Sequence, residues 1–388
     1  MAQAILSFLA ILAIPAYQLH FSLGVVRTNG LDVVLFLAAV ALLLLIKSGK
    51  RATLPKRMLV PTALLLLAAL VSCFIAPDTS SALGILKSWF ILPVFFAYSI
   101  WKSEVTPHHL RQSLIAAGTV AAVYAIGNFM FTDAWTDYEG VKRAVGFFTQ
   151  PNYLALFLVP LATLAAASLR QLGSKQERLL TVLALVSMLV AITLSYSRAG
   201  ILTIVAVIPL IALVQYGWKQ CIASITLGVI IFIGAYASIP AFQKRFASIL
   251  DTKSQTTSRT RVEITQASMN MLEAHPLAGI GLGGYQAAYQ KYQVPEALEK
   301  DVLHPHNIYL AFWTQSGILG LIAFLSICAF AFVRKLTSTS AEVRAAALAG
   351  VSILIVGLFD TAYWKNDLSV VFWVLIAMTM YQARRNDA

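Results

Sequence analysis

The chain has 388 residues, of which 59% are hydrophobic and 12% are charged, and its mean hydropathy is +0.76. Soluble globular proteins carry about 25% charged residues, so this composition excludes a water-soluble domain of this size. The net charge of +12 could suggest a nucleic-acid-binding protein, but the basic residues lie in short segments between long apolar runs. Such a distribution is typical of charges that orient a membrane protein, and we expect no nucleic-acid partner.

Twelve apolar runs predict membrane-spanning helices, each of which needs about 20 residues to cross the hydrocarbon. The predicted architecture is an all-α polytopic membrane protein, with one integral membrane domain over residues 1–388. The predicted spans are 4–19, 31–46, 58–76, 82–101, 112–131, 152–169, 179–196, 200–216, 221–238, 308–333, 345–364 and 368–383.

Lys and Arg residues predict which ends of these spans face the cytoplasm. With both termini inside, the inner connections carry sixteen of them and the short outer connections carry five. Cytoplasmic loops normally hold the excess of positive charge, so we expect this orientation. The long connection 239–307, between spans nine and ten, then forms a large periplasmic loop, and its length predicts structure of its own.

Two helices are predicted inside this loop. The first runs from Arg259 to Ala274 and is stopped by Pro276, after which a glycine-rich stretch forms a tight turn. The second covers about 285–293 and carries three tyrosines, which are typical of a membrane interface.

Two histidines, His304 and His306, stand at the outer end of the tenth predicted span. A neutral imidazole is the usual general base near neutral pH, and the adjacent Asn307 could fix its tautomer or simply cap the helix. A His-x-His pair can also bind a metal ion, but only Glu299 and Asp301 stand nearby as further ligands. We therefore expect no metal site.

Arginine residues at the outer surface, against the general charge trend, require anions. Arg198 stands in a minimal connection between the seventh and eighth spans, where it could contact lipid headgroups or bind a pyrophosphate with two parallel hydrogen bonds. Arg259 and Arg261 open the first loop helix, where they could bind phosphate or form a solvated first turn.

Two further charged residues lie within predicted spans. Lys87 stands in the fourth span near the outer surface, where snorkelling of its side chain explains it as well as a catalytic role does. Asp360 stands near the outer end of the eleventh span, where we expect it to pair with an Arg or Lys and orient it.

Three stretches resemble the O-antigen ligase and O-antigen polymerase superfamily of bacterial membrane glycosyltransferases. They are Gly146 to Asn152, then Arg261 to Gly283 with His275-Pro276-Leu277-Ala278-Gly279 inside it, then His306 to Leu310 followed by Gly317 to Gly320. Their order and spacing agree with the family over residues 146–330. Thr265 departs from the pattern, because many relatives carry Trp there.

The resemblance implies a metal-independent inverting glycosyltransferase that needs no cofactor and works at the periplasmic face of the inner membrane, among membrane lipids. Its donor is a glycan linked to undecaprenyl diphosphate. Arg198 and Arg261 are expected to bind the diphosphate, and His306 to act as base on the acceptor hydroxyl or to organise the diphosphate. The further expected substrate-binding residues are Lys87, Asn152, Arg259, His304, Asn307 and Asp360.

The likeness is closer to the ligase, whose acceptor is a sugar of the lipid A core, because the chain has twelve predicted spans and lacks an added C-terminal periplasmic domain. A polymerase that joins lipid-linked repeat units is the alternative. A twelve-span transporter is an alternative of another class, but the commonest type has its long loop between spans six and seven, where this chain has only 170–178.

The predicted orientation can be tested by cysteine labelling. In a variant without the native cysteines, Lys253→Cys should react with a membrane-impermeant thiol reagent in intact spheroplasts, because the loop 239–307 faces outwards. Labelling that occurs only in inverted vesicles would show that the loop faces the cytoplasm and that the predicted orientation is wrong.

Overall fold

The computed structural model describes residues 1–23, 26–46, 55–132, 135–138, 141–247 and 257–386, which are almost entirely helical. The helices are α1 (Ala2–Leu12), α2 (Gly30–Leu44), α3 (Lys56–Ile75), α4 (Thr79–Ile85), α5 (Leu92–Lys102), α6 (Pro107–Phe131), α7 (Pro151–Ser168), α8 (Lys175–Leu194), α9 (Arg198–Tyr216), α10 (Trp218–Ser238), α11 (Pro240–Ala247), α12 (Thr257–Ala274), α13 (Tyr285–Tyr292), α14 (Ile308–Ala331), α15 (Ala341–Val356) and α16 (Asn366–Asn386). Two antiparallel hairpins pair β1 (His20–Leu23) with β2 (Val26–Asn29) and β3 (Trp135–Tyr138) with β4 (Val141–Ala144).

A helix lies at each of the twelve positions where the sequence predicts a span. Within the described ranges, eight helices are long and apolar enough to cross a membrane, which makes the chain a multi-pass membrane protein. The helices at the other four positions, α1, α2, α15 and α16, fall short in length or apolar character, so the count of twelve stays a prediction. The all-α prediction is confirmed apart from the two hairpins.

Two predicted spans end earlier than expected. The first stops at Leu12 and continues as a 3-10 turn, because Pro15 cannot donate the next helical hydrogen bond. The eleventh stops at Val356, and the carbonyl of Gly357 accepts a hydrogen bond from the backbone of Ile308 at 2.8 Å. Asp360 therefore lies in the connection between α15 and α16 and not inside a span.

Between α4 and α5, residues Leu86–Ile91 form a π-helix, which is wider than an α-helix. Pro93 follows and lacks the N–H that would bond to the carbonyl of Trp89 in a regular helix. The hydroxyl of Tyr363 donates to that carbonyl instead, at 2.8 Å. This bond ties the π-helix to the connection between α15 and α16.

The segment 239–307 contains both predicted helices, as α12 and α13. They share a small core of apolar side chains that is separate from the main core of the bundle. Tyr285 and Tyr289 are buried in this core, so the predicted exposure of the tyrosines at a membrane interface is wrong for these two. Their rings join α13 to α12, and the Tyr285 hydroxyl lies 2.7 Å from that of Ser268.

The glycine-rich turn after α12 is inserted into a break in α14. At Gly317 the backbone has φ +69°, which interrupts the helix. The N–H of Ile318 donates to Leu277 at 3.0 Å, and the carbonyl of Thr314 accepts from Ile280 at 2.7 Å. In an unbroken helix the N–H of Ile318 would donate to the carbonyl of Thr314. Both groups instead form hydrogen bonds with the turn.

Gly317 is required at this break for two reasons. Its positive φ would cost another residue about 1–2 kcal/mol, and a Cβ atom would stand 2.5 Å from the carbonyl oxygen of Leu277. Gly317→Ala should therefore lower the apparent melting temperature of the detergent-solubilised protein by several degrees. Gly234→Ala in α10 is the matched control, because nothing lies within 4 Å of the added atom, and it should be neutral or slightly stabilising. Equal melting temperatures for the two variants would show that the turn does not depend on this glycine.

Candidate active site

Asp360 and His306 form a hydrogen-bonded pair at the outer end of α14. Asp360 Oδ1 lies 3.0 Å from His306 Nδ1 and also accepts the backbone N–H of Thr361 at 2.8 Å. A carboxylate can only accept, so the proton of a neutral imidazole is on Nδ1 and the lone pair is on Nε2. The aspartate is 2% exposed and the histidine 31%, so the imidazole is the partner that a substrate can reach.

The second carboxylate oxygen joins two more elements to this pair. Arg261 of α12 places Nη2 3.7 Å from Asp360 Oδ2, and Asn152 in the first turn of α7 donates to it at 3.4 Å. The structure therefore brings four predicted site residues together around one buried carboxylate. These residues come from positions 152, 261, 306 and 360, and only tertiary packing makes them neighbours.

The surroundings decide the charge of Asp360. Burial raises the pKa of this carboxyl, but the charge and hydrogen bond of His306, with Arg261 and the Thr361 N–H, outweigh it and bring the pKa to about 2. The carboxyl is therefore ionised at neutral pH. Because the folded pKa is below the unfolded value of about 3.9, its contribution to stability is present above that value and is lost as pH falls towards 2.

His304 has a different environment from His306. Its ring lies against Trp89, with ring centroids 6.4 Å apart, and its Nδ1 atom is buried without a hydrogen-bond partner. Burial lowers the pKa of His304 to about 4, so this side chain is neutral at physiological pH. Its Nδ1 atom makes no hydrogen bond to Asp360, whereas the Nδ1 atom of His306 does, so His306 is the histidine oriented by a carboxylate.

His306 itself has a strained backbone, with φ +47°. A non-glycine residue in this conformation costs on the order of 1–3 kcal/mol and persists only where its surroundings hold it. The next residue, Asn307, provides part of that hold. Its side chain accepts from the backbone of Tyr309 and Leu310, which caps α14, and donates to the carbonyl of Leu358 at 3.1 Å.

Two buried arginines that the sequence analysis did not single out lie beside this group. Arg143 donates to Asn152 Oδ1 at 2.9 Å and to the carbonyl of Ser195 at 2.7 Å, and Arg245 donates to the carbonyl of Tyr196 at 3.5 Å. A signal for Arg143 was present in its outer position three residues before Gly146. No comparable signal distinguishes Arg245 within the basic loop.

Arg198 lies close by, at the start of α9. It is 6% exposed, and its Nη1 donates to Ser258 Oγ at 3.2 Å. Ser258 stands one helical turn before Arg261, so α12 brings both predicted arginines to its N-terminal end.

Two other predicted site residues have different partners. Arg259 Nε lies 2.7 Å from Glu263 Oε1 and forms an ion pair with it. Lys87 likewise lies apart from this group and pairs with Asp32 at 2.9 Å.

A cavity of about 410 Å³ opens between these elements. Polar and charged side chains dominate its lining. The lining residues are Thr136, Arg143, Thr149, Gln150, Pro151, Asn152, Tyr153, Arg245, Glu299, Asp301, Val302, Leu303, His304 and His306. Across the described ranges no three His, Cys, Asp or Glu residues are grouped so that they could hold a metal ion.

Residues 183–325 match the family model described as O-antigen ligase. This part of the chain is therefore similar to the O-antigen ligase family. The match confirms the predicted resemblance and covers Arg198, Arg245, Arg261 and His306, whereas Arg143, Asn152 and Asp360 lie outside the matched range. Members of this family are membrane glycosyltransferases of the ligase or polymerase type. A comparison with curated proteins returned no match to this chain.

The histidine–aspartate pair can be tested directly in an assay of glycan transfer, the reaction that the similarity to the O-antigen ligase family implies. Asp360→Asn and His306→Ala should each reduce the rate of glycan transfer at least about a hundredfold, since a positioned general base contributes about 10²–10⁴-fold. His304→Ala and Asp301→Asn, at two cavity residues with no hydrogen bond to the pair, should lose much less. Initial rates are compared at equal amounts of purified protein.

Equal losses of rate for His304→Ala and His306→Ala, together with inhibition by EDTA, would indicate that the histidines bind a metal ion and that His306 is not a general base. Full activity of Asp360→Asn would show that the carboxylate does not orient the histidine.

Proposed function

We propose that the protein is an O-antigen ligase that transfers a glycan from undecaprenyl diphosphate to a sugar of the lipid A core at the periplasmic face of the inner membrane. The observation that supports this most strongly is the buried Asp360 carboxylate, which orients His306 and pairs with Arg261 beside an arginine-containing cavity. General base and anion-binding groups are the two requirements of a transfer from a diphosphate donor.

In the proposed reaction, His306 Nε2 accepts the proton of the acceptor hydroxyl. The oxygen attacks the anomeric carbon from the face opposite to the diphosphate, so a new glycosidic C–O bond forms while the bond to the phosphate oxygen breaks. The configuration is inverted, the proton is on His306, and the electron pair leaves with undecaprenyl diphosphate. Asp360 stabilises the imidazolium, as a carboxylate does in other histidine-dependent sites.

The arginines would bind the leaving diphosphate. Arg198 and Arg261 flank the first turns of α12, and Arg143 and Arg245 are buried around the connection 195–197. Guanidinium groups bind phosphate oxygens with paired hydrogen bonds, and those that strengthen as negative charge develops accelerate the reaction. Glu299 and Asp301 also line the cavity, so carboxylates as well as arginines would face a bound substrate.

A polymerase uses the same donor chemistry with a second lipid-linked repeat unit as acceptor. An assay with lipid-linked glycan as donor and two alternative acceptors, rough lipopolysaccharide or a second lipid-linked glycan, separates the two activities. Transfer to lipopolysaccharide alone supports the ligase, transfer to the lipid-linked unit alone supports the polymerase, and transfer to neither contradicts both.

The arginine role is tested by charge-conserving substitution. Arg198→Ala and Arg261→Ala should each lower the transfer rate about 10²–10³-fold, the usual effect of removing one donor from a developing anion. The corresponding Lys variants should recover little, because an ammonium group cannot make the paired contact. Arg259→Ala is the control, since its partner is Glu263, and it should stay closer to wild type. Near-normal transfer by both Lys variants would exclude a paired diphosphate contact.

A further inference from the structure

A second cleft, of about 580 Å³, lies beside the candidate active site. It opens between the N-terminal ends of α2 and α16 and the α4–π-helix segment. We call it the Trp89 cleft, and six of its lining residues carry the argument: Asn29, Ser80, Ser81, Lys87, Trp89 and Asn366.

The lining of the Trp89 cleft combines apolar and polar side chains, and its lysine is paired with a carboxylate. Lys87 Nζ lies 2.9 Å from Asp32 Oδ2, and this carboxylate is 3% exposed. Asp32 also accepts from Ser88 at 2.7 Å and from Asn366 at 3.3 Å. The polar part of the lining therefore presents hydroxyl and amide groups with an ion pair, next to apolar surface from Leu83, Ile85 and Trp89.

Trp89 separates the cleft from the candidate active site. Its ring lies against His304 at 6.4 Å between centroids, and His304 lines the first cavity. The indole N–H of Trp89 donates to Asn366 Oδ1, which fixes the orientation of the ring. A molecule in the Trp89 cleft would therefore be only two side chains away from the groups around His306.

We propose that the Trp89 cleft binds the acceptor glycan, as an uncharged, hydroxyl-rich sugar that sits beside the indole ring and presents a hydroxyl towards His306. This inference rests on the proposed function. Aromatic rings provide apolar contact area for the C–H groups of a sugar, while a few placed amides and hydroxyls fix its orientation. The donor diphosphate and the acceptor sugar would thus occupy neighbouring cavities on either side of the Trp89–His304 partition.

Gly84 offers a way to fill the cleft without altering the catalytic groups. It lines the cleft, and nothing lies within 4 Å of a Cβ atom added to it. Gly84→Trp should raise the KM for rough lipopolysaccharide at least about tenfold and leave the KM for the lipid-linked donor unchanged. Gly234→Trp, the matched control, adds the same side chain at an open glycine of α10 outside the cleft and should behave as wild type. Leu83→Trp is a second filling variant, on an exposed residue of the same lining.

The outcomes separate this inference from the proposed function. If the wild-type protein transfers glycan and a folded Gly84→Trp or Leu83→Trp variant keeps the wild-type KM for lipopolysaccharide, the acceptor binds elsewhere. An equal rise in the KM for the lipid-linked donor and for lipopolysaccharide would also contradict the proposal, because filling the cleft would then affect both substrates and not the acceptor alone. A wild-type protein inactive with both acceptors would instead refute the proposed function itself.

Discussion

The ionised carboxylate of Asp360 is the group on which the site depends. Burial of an isolated charge is strongly unfavourable, so it must be matched by a partner charge and hydrogen bonds. Here the compensation comes from His306, Arg261, Asn152 and the backbone of Thr361. Each of these groups belongs to a different part of the chain, so the carboxylate fixes the relative positions of α7, α12, α14 and the connection after α15.

The glycine-rich turn makes that arrangement possible for α12. A helix in an outer segment has no bilayer to orient it, and it needs another constraint. The turn at 277–283 supplies one, because its backbone completes the interrupted hydrogen bonding of α14 at Thr314 and Ile318. Leu282 adds a bond to Ser72 at the end of α3, at 3.2 Å. The end of α12 is therefore anchored to two apolar helices, and Arg261 is held within reach of Asp360.

Two cavities lie next to each other at this end of the bundle. One is lined by Arg143 and Arg245 together with Glu299 and Asp301, and the other contains Lys87, which pairs with Asp32. The partition between them, Trp89 and His304, is held by the π-helix whose shape follows from Pro93 and Tyr363. A single proline in the fourth predicted span thereby influences the geometry of the proposed acceptor position.

The sequence by itself determined the membrane class, the positions of the helices and the two helices of the outer segment, because these follow from local apolar runs, proline stops and helix periodicity. It also singled out His306, Arg198, Arg261, Asn152 and Asp360, through their positions at outer helix ends or in the family's motifs. Arg143 and Arg245 were missed as site residues, since a basic residue in an outer connection looks the same in sequence whether it is solvated or buried. Only the tertiary structure decided that Asp360 lies outside a span and joins His306 to Arg261. That outcome depends on contacts between residues about 50 to 200 positions apart, and the free energy of pairing a buried charge is set by those contacts and not by local sequence.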